Sequence, residues 1–67
     1  MRVQNDELYD FIRDFGRRNA DVTRKRLLAV LKGRFYGRED ARQLIYRLED
    51  LGLIMINEEC ITIKYIK

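Results

Sequence analysis

Ten side chains between Arg17 and Arg47 carry a positive charge: Arg17, Arg18, Arg24, Lys25, Arg26, Lys32, Arg34, Arg38, Arg42 and Arg47. Only Asp21, Glu39 and Asp40 oppose them there, so ten against three leaves a balance of +7. The residues before this stretch balance at −2, with Arg2 and Arg13 against Asp6, Glu7, Asp10 and Asp14. Those after it also balance at −2, with Lys64 and Lys67 against Glu49, Asp50, Glu58 and Glu59. A basic middle between acidic ends is the electrostatic footprint of a surface that binds a polyanion. Arginine outnumbers lysine ten to four. Its planar fork of N–H donors matches phosphate oxygens and the O6/N7 edge of guanine better than a point charge does.

Covalent catalysis has little to work with. The chain has neither histidine nor serine, and Thr23 and Thr62 are its only aliphatic hydroxyls. No nucleophile stands with a base, and the carboxylates fall at helix starts or on polar faces, so an enzyme is not expected. Cys60 is the single cysteine. It can form no internal disulfide, and a structural zinc site lacks ligands, so no cofactor or metal is expected. Cys60 reads as a small strand filler. No apolar run approaches the roughly 18 to 20 residues that cross a bilayer, and residues 1–7 lack the apolar centre of a signal peptide. The expectation is an intracellular, cytoplasmic protein, nucleoid-associated if cellular, with no membrane partner and no small-molecule substrate.

The charges must be held by elements that residues 1–67 can build as a single domain with a thin core. A first helix is predicted over about 6–18, capped by Asn5 or Asp6. Leu8, Phe11, Ile12 and Phe15 form one apolar stripe along it. Gly16 weakens its last turn. Val22 marks a short first strand or a core plug. Thr23 caps a second helix over 24–32, with Leu27, Leu28 and Leu31 turned inward and Gly33 as its terminator. Arg24, Lys25 and Arg26 crowd its first turn against the helix dipole, a local cost that a binding surface would explain. Phe35 and Tyr36 read as core plugs beneath the connector, where Gly37 can supply a positive φ. A third helix follows over about 39–51, starting at Arg38 or Glu39. Ala41, Leu44, Ile45, Leu48 and Leu51 keep its inward spacing, and Gly52 stops it. The period then changes to two. Strands over about 53–57 and 60–66 make a hairpin with an acidic tip at Glu58 and Glu59.

Three helices followed by a two-stranded antiparallel hairpin is an α+β arrangement. With the run from Ala41 to Ile54, where a leucine-rich helix ends in Leu51-Gly52-Leu53-Ile54, it resembles the winged-helix (winged helix-turn-helix) DNA-binding domains. The resemblance covers about 6–66. Size, arginine content and β-branched strands are similar to those of small archaeal, viral or plasmid regulators. Two features depart from the pattern: the extra aromatic pair Phe35 and Tyr36, and the short acidic wing.

The resemblance implies double-stranded DNA as the partner, bound in a sequence-specific or architectural way by a transcription regulator. The third helix would lie in the major groove, with Arg38, Arg42, Gln43 and Tyr46 reaching bases. Arg24, Lys25, Arg26, Lys32, Arg34, Arg47 and Lys64 would hold phosphates. The tip carboxylates would keep the wing out of the minor groove. Tyr65 and Ile66 on the last strand are the expected homodimer or partner surface. The competing expectation is a winged helix that docks a protein within a replication, transcription or membrane-remodelling assembly. Its acidic tip and apolar last strand favour that, and the arginines favour DNA.

Overall fold

A computed structural model describes residues 2–64. The elements run α1 (Asn5–Arg18), β1 (Asp21–Val22), α2 (Arg24–Arg34), α3 (Ala41–Asp50), β2 (Ile54–Ile56) and β3 (Ile61–Ile63). The three strands form one antiparallel sheet in the order β1-β3-β2. The architecture is therefore α+β, and the sheet has three strands: the two of the expected hairpin and the short first strand that is one of the two readings of Val22. The extra strand is the pair around Val22, too short to show a period in sequence. It joins through Asp21 opposite Thr62 and Val22 opposite Ile61. No described helix is long and apolar enough to cross a membrane.

Helix α1 begins one residue earlier than its expected caps allow. Gln4 is the cap residue, and its backbone N–H donates to the Glu7 carboxylate at 3.0 Å. Asp6 and Glu7 face the positive end of the dipole, while Arg17 and Arg18 face the negative end. The helix passes through Gly16 and closes at Asn19, whose backbone N–H donates to the Phe15 carbonyl at 3.0 Å. Leu8, Phe11 and Ile12 are buried. Phe11 stacks on Phe15 with ring centroids 5.5 Å apart and meets Phe35 edge-on at 6.0 Å.

Thr23 caps α2 as expected, its hydroxyl accepting from the Arg26 N–H at 3.1 Å. The helix does not stop at Gly33. It continues to Arg34, and Phe35 closes it by donating its backbone N–H to the Leu31 carbonyl at 2.9 Å. The left-handed residue sits further on, at Gly37, with φ of +73°. Helix α3 then starts at Ala41, later than predicted, because the Asp40 carboxylate caps it by accepting from the Arg42 N–H at 2.9 Å. Its end is a Schellman turn. Gly52, with φ of +76°, donates to the Glu49 carbonyl, and Leu53 donates to the Leu48 carbonyl. Leu53 and Ile54 drop into the core as the chain enters the sheet.

Strands β2 and β3 are shorter than predicted and pair Ile54 with Ile63, Met55 with Thr62 and Ile56 with Ile61. Asn57 donates its N–H to the Cys60 carbonyl, which closes the hairpin beneath Glu58 and Glu59. Ile54, Ile61 and Ile63 point into the core, and Met55 faces out. Period-two alternation thus gives the sheet one dry and one wet face. The core is one apolar layer between this sheet and the helices. Leu8, Ile12, Leu27, Leu31, Leu44, Ile45, Leu48 and Ile61 are its fully buried members. Val3, ahead of the first helix, is as deeply buried as any of them.

Candidate nucleic-acid interface

On α3, Ala41, Leu44, Ile45 and Leu48 face the core, which leaves Arg42, Gln43 and Tyr46 on the opposite side. Arg42 is the most open cation of the ion pairs, with 76% of its side chain accessible. Its guanidinium lies 3.2 Å from Asp40 across two residues of exposed surface. Such a pair is worth little in water and can be exchanged for a better anion. The Asp40 carboxyl is held below its usual range, first by the Arg42 backbone N–H, then by the Arg42 side chain, with help from Lys32. Asp40 therefore serves α3 as an ionised cap and places Arg42 at the helix start.

Lys32, Tyr36, Asp40 and Arg42 share the wall of an open depression of about 480 Å³ between α2 and the start of α3. Tyr36 is 86% exposed beside it, which corrects its reading as a core plug. Phe35 alone plugs the core, because a helix that runs on to Arg34 turns residue 35 inward and residue 36 outward. Lys25 lies seven residues before Lys32, two helical turns away, and so belongs to the same side of α2. Both are exposed, as is Arg24 in the first turn.

Two predicted arginines have other partners. Arg38 precedes α3, so its expected place on the outward face of that helix is corrected. It grips Glu7 with two hydrogen bonds, at 2.6 Å and 2.9 Å, and reaches the Arg2 carbonyl at 3.4 Å. The Arg38 hydrogen bonds, then the Gln4 N–H, lower the Glu7 carboxyl from its ordinary 4.5 to about 2. Arg47 lies against Glu39 at 2.9 Å and donates to the Val3 carbonyl. Only 15% of its side chain is accessible, so the expected outward position of Arg47 is corrected too. Val3 completes this clasp by donating its N–H to the same Glu39 carboxylate at 3.0 Å. Glu7 and Val3 were not singled out in the sequence for this role. Their arginine partners lie 31 and 44 residues away, and no local spacing encodes that, whereas Glu39 stands eight residues before Arg47.

Arg26 and Arg34 are also exposed, but they line a different groove, with Arg17 and Arg18 from the end of α1. The ten cations are thus not one patch. Arg24, Lys25, Lys32 and Arg42 lie at the α2–α3 side, Arg17, Arg18, Arg26 and Arg34 lie at the α1–α2 side, and Arg38 and Arg47 are structural. Lys64 is exposed just past β3, its backbone N–H donating to the Leu53 carbonyl at 2.9 Å. Glu58 and Glu59 are exposed at the hairpin tip. Cys60 is a half-buried free thiol. The expected dimer surface at Tyr65 and Ile66 lies outside the described residues. Compared with protein-family models, curated proteins and solved structures, the chain matches none.

Proposed function

We propose that this chain is a winged-helix domain that binds duplex DNA, with α3 presented to the major groove. The order α1-β1-α2-α3-β2-β3 and the sheet order β1-β3-β2 fit that fold. The observation that carries the reading is the outward row Arg42, Gln43 and Tyr46 on α3, flanked by Lys25 and Lys32, none of these lysines in an ion pair among the described residues. Arginine forks onto guanine and glutamine onto adenine, and two such groups at the start of a helix sit where a recognition helix reaches bases. Lys25, Lys32 and Arg24 supply phosphate contacts that set register and most of the salt-sensitive affinity. Tyr46 and Tyr36 extend the face with hydroxyls that can donate to phosphate. The acidic tip stays clear of the duplex. Transcription regulation is the role this mode of binding serves.

Two substitutions test the face. Arg42→Ala should weaken a preferred site by about 1 to 3 kcal/mol and relax its base preference. Lys25→Ala should weaken all sequences alike and reduce the salt slope by about one. Fluorescence anisotropy on mixed and selected duplexes between 50 and 200 mM salt reads both, a range over which phosphate contacts change affinity by orders of magnitude. If both variants bind as the parent does, α3 is not the DNA face. If the parent has no duplex affinity at low salt, the protein-docking alternative stands instead.

A further inference from the structure

The α1–α2 groove carries as much unpaired positive charge as the α3 side and faces elsewhere. It is an open cleft of about 640 Å³ with Arg17 and Arg18 on one rim, Arg26 and Arg34 on the other, and Phe15 and Phe11 between them. Among the described residues none of these four arginines has a carboxylate within 4 Å, and Asp14 is the one acid in the groove wall. Arg34 is held in place by apolar contact. Its guanidinium carbon lies 5.8 Å from the ring centres of both Phe11 and Phe35, a cation–π arrangement that fixes the group, and the one carboxylate it helps to hold ionised, Glu7, is already gripped by Arg38.

The geometry of α2 separates this groove from the first face. At 3.6 residues per turn, Arg26, Val30 and Arg34 form one stripe, and Leu28 and Lys32 form another about 180° around the helix. Leu27 and Leu31 between them are buried against the rest of the protein. A straight duplex against α3 cannot also fill the groove behind α2. Arg26 and Arg34 are eight residues apart, about 12 Å along the axis at 1.5 Å per residue. A row of guanidiniums at that span matches a line of successive phosphates better than an isolated carboxylate.

We infer that the α1–α2 groove is a second phosphodiester-binding site, so that one chain holds two DNA duplexes on opposite sides of α2. This rests on the reading of α3 as the first duplex face.

The test pairs two measurements on the full chain. One is the affinity for a single fluorescent duplex. The other is capture of that duplex by a second, bead-bound duplex. The variant Arg17→Gln/Arg18→Gln/Arg26→Gln leaves Arg34 and the aromatic packing intact, and circular dichroism should match the parent. It should keep single-duplex affinity within about twofold and lose at least tenfold in capture, whereas Arg42→Ala/Gln43→Ala should weaken both. Capture that survives the groove substitutions overturns the inference, since two associated copies would then be joining the duplexes. So does a parent that binds one duplex and never captures a second, or a groove variant whose affinity and capture fall together. A parent with no duplex affinity at low salt fails differently: it removes the α3 reading itself.

Discussion

Three arginines of similar sequence surroundings have different fates. Arg38, Arg42 and Arg47 all lie near acids, and the sequence alone does not tell which is bound to the protein and which is offered to a ligand. The difference comes from residues far away in the chain: Glu7 for Arg38 and Val3 for Arg47. Among the described residues Arg42 has only its neighbour Asp40 as an ion-pair partner, and it stays open. The clasp should be visible in acid. The Glu7 carboxyl titrates at about 2 in the folded chain and ordinarily at 4.5. A carboxyl whose pKa is lowered by folding contributes fully above about 4.5 and loses that contribution as pH falls towards 2. Asp40, also lowered, acts in the same direction. Glu7→Gln should therefore be less stable than the parent at neutral pH, and the gap should close between pH 5 and 2. Urea unfolding midpoints across that window measure it. Coincident curves would mean that the Glu7–Arg38 pair adds nothing to the fold, and a constant offset that its contribution does not come from the ionised carboxylate.

At the scale of elements, most of the fold could be read from periodicity. The apolar stripes of α1 and α3, the Thr23 cap, the Gly52 stop and the change to period two all emerge as expected, because each is local chemistry. What could not be read is that Gly33 stays helical, although Gly37 was legible as the residue that can take a positive φ. Gly33 and Gly37 are both followed by polar or aromatic residues, and either could end a helix. The structure keeps Gly33 helical and gives the positive φ to Gly37. β1 was legible only as one of two readings of Val22, a short strand or a core plug, since two residues carry no period. The glycine assignment has opposite consequences at the two sites. A Cβ at Gly33 meets nothing within 4 Å, so Gly33→Ala removes a flexible residue from a helix and should stabilise by about 0.5 to 1 kcal/mol. Gly37→Ala is equally free of neighbours but must hold φ at +73°, which should cost about 1 to 2 kcal/mol. Thermal melts of the two variants give opposite signs if α2 ends where the structure ends it. If Gly33→Ala also destabilises, the helix stops earlier.

The whole molecule is about 28 × 24 × 20 Å, with a core a single layer deep. In so small a domain the residues before α1 are part of the fold. Val3 is fully buried, and its backbone is held at both ends of the peptide by Glu39 and Arg47. This joins residue 3 to the connector just before α3 and to the middle of α3, the helix proposed to read DNA, so the stiffness of the α3 face depends on residue 3. That dependence was not legible, because a lone valine ahead of a helix cap has no pattern around it. The same is true of the division of charge by α2, which appears only once the helix has a fixed inward side. Val3→Ala should cost about 1 to 2 kcal/mol through lost burial. In a domain of this length each kcal/mol lowers the melting temperature by about 4 to 8 °C. Arg47→Ala should cost a similar amount, because a buried carbonyl and a carboxylate lose a charged donor. Val3→Ala removes the buried side chain that seats the clasped backbone, and Arg47→Ala removes the donor to that backbone, so the double variant should fall short of the sum by at least 0.5 kcal/mol. Denaturant unfolding of the four proteins closes the cycle, and strict additivity would show that Val3 and Arg47 stabilise the domain separately. The same cycle run with Arg17→Ala in place of Arg47→Ala should be additive, because Arg17 sits in the other groove and shares no partner with Val3.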